Sequence, residues 1–257
     1  MKRSFWHALF ALGTALLSCS LWAADDHITV AAAADLHHAM DKIVEAYQHD
    51  HPGQKIDVTY GSSGNLLTQI EQGAPFELFF SADSDYPQQL AAHGNAGGQP
   101  VPYADGHIVL WSASIDMSAV RVADLAQPRF GRIAIANPQH APYGKRAEQA
   151  LRAAGVWDSL QSRLAFGDNI AQAAQFAQSG NAQVGIIAES LALDSPVKGT
   201  YVLVPQSLYQ PLHQSFVLTQ RGAGNALAKD FAQYVQGGQG RAILAQYGFK
   251  LPDVASH

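Results

Sequence analysis

"VTYGSSGNLLTQI", residues 58–70, runs from a strand-like segment through two glycines and two serines directly into a helix-like segment. Its first three residues have the composition of a strand, while Leu66, Leu67 and Ile70 recur at the spacing of the apolar face of a helix. A structural turn between a strand and a helix needs only one glycine or one capping residue. The four small residues therefore predict that several hydroxyl and amide groups converge at the start of this helix.

The same alternation of strand and helix continues along the chain and predicts an α/β protein with mainly parallel sheets. Further strands are predicted at HITVAAAA (27–34), ELFFSAD (77–83), HIVLWSA (107–113), RIAIANP (132–138), RLAFGD (163–168), AQVGIIAES (182–190) and PLHQSFVLT (211–219). Further helices are predicted after residue 35, with Asp35 as the N-cap, and at 86–92, 144–155, 169–178, 225–235 and 239–247.

The composition of the 257-residue chain is that of a globular protein, with 47% hydrophobic and 14% charged residues. Such a chain can bury a sizeable core, in one large domain or in two of about 100 residues each. The formal net charge is −5, and without Lys2 and Arg3 there remain 14 basic and 21 acidic residues, a charge of −7. This balance argues against a nucleic acid or an anionic membrane as partner, since either would favour a basic surface.

Residues 1–24 are predicted to be a signal peptide, because Lys2 and Arg3 precede an apolar run at 8–17 that is too short to span a bilayer. The mature protein is then expected in the periplasm. An alternative is lipidation at Cys19, the only cysteine of the chain. In a soluble mature form without Cys19 we expect no disulfide and no metal held by cysteine.

Four helix starts share small or polar residues: Ala34-Asp35, residues 61–64, Pro142-Tyr143-Gly144 and residues 168–170. The first turn of a helix has unpaired N–H groups and a partial positive charge. In open α/β sheets, ligands bind beyond the carboxyl ends of the strands. Each of these helix starts alone is typical of an ordinary cap. Together they predict an anion site that needs no Lys or Arg.

Several segments, in this order and spacing, resemble the periplasmic molybdate-binding proteins of ABC importers. They are VAAAADL (30–36), YGSSGNLLTQIEQGAPFELFFSAD (60–83), IVLWSA (108–113), IAIANPQHAPYGKRAEQAL (133–151), VGIIA (184–188) and YGFKLP (247–252). The resemblance covers nearly the whole mature chain. Its most specific parts are the block from GSSG to SAD and the block NPQHAPYG.

The resemblance implies a two-lobed periplasmic binding protein of type II, with a hinge between lobes built on mixed, mainly parallel sheets flanked by helices. One lobe would comprise residues 25–106 and 216–257, and the other residues 107–215. Such a protein is a monomer and not an enzyme. It needs no cofactor, captures molybdate or tungstate with neutral hydrogen-bond donors, and delivers the oxyanion to an ABC permease in the inner membrane.

The same resemblance assigns the contacts of the oxyanion. Ser62 and Ser63 match serines that donate hydroxyl and amide hydrogen bonds, and Ala34 and Asp35 match the first-lobe turn. Tyr143 and Ile170 match second-lobe residues that offer backbone amides, with the Tyr143 phenol as a further donor in one branch of the family. No catalytic residue and no direct ligand of a metal cation is implied, because the molybdenum or tungsten is held as its oxyanion.

Asp35 departs from the family, which usually has Ser or Asn at this position. A carboxylate only accepts hydrogen bonds, and its charge opposes a dianion in a closed cleft. Three interpretations are open: Asp35 caps its own helix, faces the ligand in protonated form, or selects an oxyanion that carries its own proton, such as hydrogen phosphate.

Other functional classes have weaker support from the sequence. A phosphate-binding GxxxxGK[ST] motif and a GxSxG nucleophile motif are absent. His37 and His38 are adjacent on a predicted helix and point about 100° apart, so they cannot both bind one metal ion. A binder of ferric ion that uses Asp35, Tyr143 and Asp168 stays open. His140 is predicted to lie at the mouth of the cleft.

Overall fold

The computed structural model describes residues 26–252. The predicted signal peptide and Cys19 lie outside these residues. The strands are β1 (His27–Ala33), β2 (Lys55–Gly61), β3 (Leu78–Ser81), β4 (Val101–Gly106), β5 (Ile108–Ser112), β6 (Ile133–Ala136), β7 (Leu164–Gly167), β8 (Val184–Ala188), β9 (Thr200–Leu203) and β10 (Leu212–Leu218). The helices are α1 (His37–Asp50), α2 (Ser63–Glu71), α3 (Asp85–Ala92), α4 (Pro142–Ala153), α5 (Trp157–Leu160), α6 (Ile170–Gln178), α7 (Glu189–Leu193), α8 (Ala226–Gln236) and α9 (Gly238–Gln246).

The strands form two five-stranded sheets with the same internal pattern. The first sheet has the order β2-β1-β3-β10-β4, and the second has the order β7-β6-β8-β5-β9. In each sheet three neighbouring strands are parallel, the fourth is antiparallel, and the fifth pairs antiparallel with the fourth. Four of five strands in each sheet therefore run in one direction, which confirms the predicted mixed, mainly parallel sheets.

The reversed strand of each sheet is the first strand after the chain has crossed from one sheet to the other. The chain crosses at His107, between β4 of the first sheet and β5 of the second. It returns after β9 and enters the first sheet as β10, which pairs with β4 from Leu212 onward. The predicted boundary between the lobes, after residue 215, falls inside β10 (Leu212–Leu218). This strand pairs with β4 and β3 of the first sheet along its whole length.

Apolar residues on the faces of both sheets form the cores. One side of the first sheet packs on α1, α8 and α9 through residues such as Met40, Ile43 and Phe231, and its other side packs on α2 and α3. The core of the second sheet also contains two residues from the first lobe. Ala33 is the last residue of β1, and Ala82 directly follows β3. The two lobes are therefore in contact at the carboxyl ends of their strands.

Several local features differ from the sequence analysis, among them the short helices α5 and α7, which were not predicted. Strands β4 and β9 were not predicted, since VPYADG contains Pro and Gly and TYVL is only four residues long. The prediction of Asp35 as an N-cap is wrong, because residues 34–36 form a 3-10 turn and α1 begins at His37.

Within residues 26–252, no helix is long and apolar enough to cross a membrane.

Candidate functional site

A small cavity lies where the carboxyl ends of strands from both sheets meet. Its volume is at most about 190 Å³, counting space that is open to solvent. This is below the roughly 300–1,000 Å³ of pockets for drug-sized ligands, so the cavity suits a small ion. All six residues predicted for the site line it: Ala34, Asp35, Ser62, Ser63, Tyr143 and Ile170, together with Ala33, Gly61, Ala82, Ala141 and Pro142.

The two serines lie at the start of α2 and are buried. Ser62 is the N-cap residue in extended conformation, yet its side chain makes no capping hydrogen bond to the helix. The Ser63 hydroxyl oxygen accepts the backbone N–H of Ala82 at 3.1 Å. Since an amide can only donate, the hydroxyl hydrogen of Ser63 stays available for another acceptor. Ordinary capping therefore does not explain this pair of serines.

Ser62 is instead in contact with the opposite lobe. Its hydroxyl oxygen lies 2.9 Å from Nδ1 of His140, which precedes α4. The backbone carbonyl of His140 also accepts the N–H of Gly64 at 2.9 Å. A Cβ at Gly64 would lie 2.7 Å from this carbonyl, so only glycine permits the approach. His140 is thus half-buried against the first turn of α2 and is not among the residues that line the cavity.

The second lobe contributes the first turns of α4 and α6. Helix α4 begins with Pro142, which has no N–H, so Tyr143 supplies an early unpaired amide of this helix. Helix α6 begins at Ile170, and the Asn169 side chain caps it by accepting the N–H of Gln172. Helix starts from both lobes therefore border one cavity, as the sequence analysis predicted.

The Asp35 carboxylate forms a hydrogen-bond network across the two lobes. Its Oδ2 accepts the phenol of Tyr143 at 3.0 Å and Nε2 of Gln214 at 2.8 Å. Gln214 belongs to β10 and in turn accepts the hydroxyl of Tyr103. The Ser190 hydroxyl of the second lobe donates to the backbone carbonyl of Asp35 at 2.7 Å. The Tyr143 phenol is thus engaged by Asp35, which leaves its backbone amide for the cavity.

Burial raises the pKa of the Asp35 carboxyl to about 6, while hydrogen bonds from Gln214 and Tyr143 act in the opposite direction. Burial and the neighbouring Asp35 also raise the pKa of Tyr143, so the phenol stays protonated and can donate. At pH 7 the network therefore contains one carboxylate held by two neutral donors.

Apart from Asp35, the residues that line the cavity have no charged side chain. The nearby Arg146 of α4 is buried in an ion pair with Asp83 at 3.1 Å and also donates to the carbonyl of Pro211. Over the part of the chain that the structure describes, no group of three or more His, Cys, Asp or Glu residues could hold a metal ion. The arrangement can bind an anion through hydroxyl and amide donors.

Other candidate residues of the sequence analysis lie elsewhere. His37 packs edge-on against Tyr60 and His38, while His38 lies 3.3 Å from Asp194. Asp168 is not among the cavity-lining residues. Of the three residues of the iron-binding alternative, Asp35 and Tyr143 therefore meet at the cavity and Asp168 does not join them.

Comparison with known proteins agrees with this architecture. The sequence profile of the family described as bacterial extracellular solute-binding protein matches residues 28–250. The molybdate-binding protein ModA of Azotobacter vinelandii is 35% identical over 254 residues, which cover 98% of this chain and 100% of the relative. ModA of Rhodobacter capsulatus is 36% identical, with 95% and 98% coverage.

A solved structure agrees with the sequence relatives. The periplasmic molybdate-binding protein of Azotobacter vinelandii superposes with a TM-score of 0.80 at 32% identity, covering 88% of this chain and 100% of that one. This identity and coverage extend the likeness over both sheets and the cavity between them. The chain belongs to the bacterial extracellular solute-binding proteins and, within them, to the ModA family.

Proposed function

We propose that this protein is the periplasmic solute-binding component of an ABC importer, and that it captures molybdate or tungstate between its two lobes. The observation that carries the proposal is the donor set of the cavity, in which serine hydroxyls and helix-start amides meet without a cationic side chain. Such donors suit a small oxyanion, whose oxygens only accept hydrogen bonds. The ModA relatives, which are molybdate-binding proteins, match this chain over nearly their full length.

The proposed contacts divide between the lobes. Ser62 and Ser63 donate from the first lobe together with the amides of the turn at Ala34 and Asp35. The amides of Tyr143 and Ile170 donate from the second lobe. Because the oxyanion is held by both lobes only when they are together, its binding favours the closed form. Opening then releases the oxyanion to the permease, and no chemical step or cofactor is required.

The two alternative ligands of the sequence analysis have less support. A hydrogen oxyanion would need Asp35 as its acceptor; Oδ2 already accepts from Tyr143 and Gln214, which leaves Oδ1 alone for this role, and the ModA relatives are molybdate-binding proteins. A ferric ion needs several oxygen ligands and negative charge around it, whereas Asp35 is the one charged residue lining the cavity. We further propose that the protein works as a monomer.

Calorimetric titration of the mature protein with molybdate, tungstate, sulfate, phosphate and ferric citrate, at pH 5.5 and 7.5, tests the proposal. We expect tight binding of molybdate and tungstate and no response to the other three ligands. Ser63→Ala should weaken binding because it removes a donor, while Ser162→Ala, at an exposed serine of the second lobe, should leave it unchanged. A response to phosphate or iron with none to molybdate would refute the proposed cargo.

A further inference from the structure

The two serines of the cavity differ in what holds their hydroxyl oxygens. The oxygen of Ser63 accepts from the Ala82 amide at 3.1 Å, which leaves the hydroxyl hydrogen free to donate to another neighbour. The oxygen of Ser62 lies 2.9 Å from Nδ1 of His140. An imidazole nitrogen donates when it carries hydrogen and accepts when it does not. The direction of this hydrogen bond therefore decides what Ser62 can offer to a ligand.

Only one direction of the bond serves a bound oxyanion. If Nδ1 of His140 lacks hydrogen, Ser62 donates to the ring and presents only lone pairs to the cavity. If Nδ1 carries hydrogen, the ring donates to Ser62 and the hydroxyl hydrogen is free for the oxyanion. Because oxyanion oxygens repel lone pairs and attract donors, the second arrangement is the stable one in the loaded cleft.

The backbone of His140 is fixed independently of its ring. Its carbonyl accepts the amide of Gly64 at 2.9 Å, and the absence of a side chain at Gly64 permits this contact. A change of the ring therefore leaves the main-chain bridge between the lobes in place. This separates the effect of the imidazole from that of lobe contact as such.

We propose that His140 is a positioning residue of the oxyanion site, whose Nδ1–H donates to Ser62 and so directs the Ser62 hydroxyl hydrogen to the bound oxyanion. The inference rests on the proposed function. In this arrangement the hydroxyl oxygen of each serine accepts a hydrogen bond from a donor outside the cavity. The donor is a backbone amide for Ser63 and a side chain from the opposite lobe for Ser62.

A double-mutant cycle with molybdate as the titrant tests this coupling. In His140→Ala no side chain orients the Ser62 hydroxyl before the ligand binds, so binding must order it. We therefore expect a Kd for molybdate about three- to tenfold higher. In a Ser62→Ala background the same change at His140 should alter the Kd by less than about twofold, because it acts through the hydroxyl. His140→Asn, whose carboxamide can donate from a similar place, should restore most of the affinity. Gln139→Ala, at the exposed neighbouring residue, is the matched control and should bind like the wild type.

A spectroscopic measurement on the unmutated protein checks the direction of the bond. With ¹⁵N-labelled histidine, the ring signals of His140 are assigned by their loss in His140→Asn. We expect Nδ1 of His140 to be protonated in the molybdate-bound protein.

The outcomes separate the two proposals. A wild type that binds neither molybdate nor tungstate overturns the proposed function and this inference with it. A wild type that binds molybdate overturns the inference alone in any of three cases: the Kd of His140→Ala is unchanged, the loss is equally large in the Ser62→Ala background, or Nδ1 is unprotonated in the complex.

Discussion

At the scale of single residues, Asp35 is the residue least expected in an anion-binding site, because its side chain is a carboxylate. Its carboxyl is fully buried beside the cavity, and its partners Tyr143 and Gln214 come from two different lobes. The Oδ1 atom has no hydrogen-bond partner among the described residues. The protein therefore holds a buried carboxylate with one unpartnered oxygen close to where we propose that an anion binds.

Asp35→Asn should stabilise the protein at neutral pH. Burial raises the pKa of the carboxyl from 3.8 to about 6, so folding takes up a proton between these two values and stability falls as the pH rises through this window. The asparagine side chain keeps an acceptor for Tyr143 and removes the charge. We expect a gain near zero at pH 4 that grows to about 3 kcal/mol at pH 7, measured by urea unfolding of both proteins.

Asp57→Asn is the control for this titration. Asp57 is exposed, and hydrogen bonds from Lys55 and His27 lower its pKa. Its replacement should therefore have a small effect of the opposite sign. A gain for Asp35→Asn that is as large at pH 4 as at pH 7 would contradict the assignment to ionisation.

Asp35→Asn should also raise the affinity for molybdate above pH 6. The wild-type carboxylate repels a dianion across a poorly screened cavity, and the neutral amide does not. We expect a Kd at least about tenfold lower at pH 7.5 and a smaller difference at pH 5.5, by calorimetry. If the affinity for molybdate fell while binding of phosphate disappeared, Asp35 would be an acceptor for a protonated oxyanion.

At the scale of elements, the helix starts could be predicted from the sequence, and the contacts between them could not. Small and polar residues after apolar runs indicate where α2, α4 and α6 begin, because these patterns are local. The partners of Asp35 and Ser62 lie far away in sequence, as the bonds of Asp35 to Gln214 and of Ser62 to His140 show. No periodicity encodes such pairs, so the role of Asp35 as a bridge and not a cap was missed.

Gly106, the last residue of β4, allows this network to form. A Cβ there would lie 2.3 Å from the Tyr143 hydroxyl oxygen and 2.5 Å from Nε2 of Gln214. Gly106→Ala should therefore displace both side chains, weaken molybdate binding, and cost about 1–3 kcal/mol of folding stability through overpacking. Thermal unfolding and calorimetry measure the two effects.

Gly98→Ala is the matched control, because a Cβ at Gly98 meets nothing within 4 Å. It should change neither stability nor affinity by a measurable amount. Equal effects of the two substitutions would mean that general backbone flexibility, and not the clash with Tyr143, is responsible.

At the scale of the whole molecule, several polar contacts join the lobes besides the network of Asp35. The ion pair of Arg146 with Asp83 joins α4 of the second lobe to the loop after β3 of the first, and both side chains are about nine-tenths buried. In a buried pair, removal of one partner leaves the other charge without compensation. This pair should therefore matter mainly for the balance between closed and open forms.

Arg146→Met should shift that balance toward the open form. Closing the variant buries Asp83 without its partner, which costs about 3 kcal/mol, and the Kd for molybdate should rise about a hundredfold. Small-angle scattering should show a larger radius of gyration at subsaturating molybdate. Arg152→Ala, which breaks an exposed ion pair on the same helix, should behave like the wild type. If Arg146→Met closed and bound normally, the ion pair would have no part in closure.

The path of the chain through the two sheets also sets the order in which the lobes can be completed during synthesis. All five strands of the second sheet lie in one continuous stretch, from β5 to β9. The first sheet lacks its reversed strand β10 until residues 212–218, within the last quarter of the chain, have emerged, and α8 and α9, which cover one of its faces, come later still. The lobe that begins the chain is therefore the last to have all its residues synthesised, and at that stage a nascent chain holds every strand of the second sheet beside an incomplete first one.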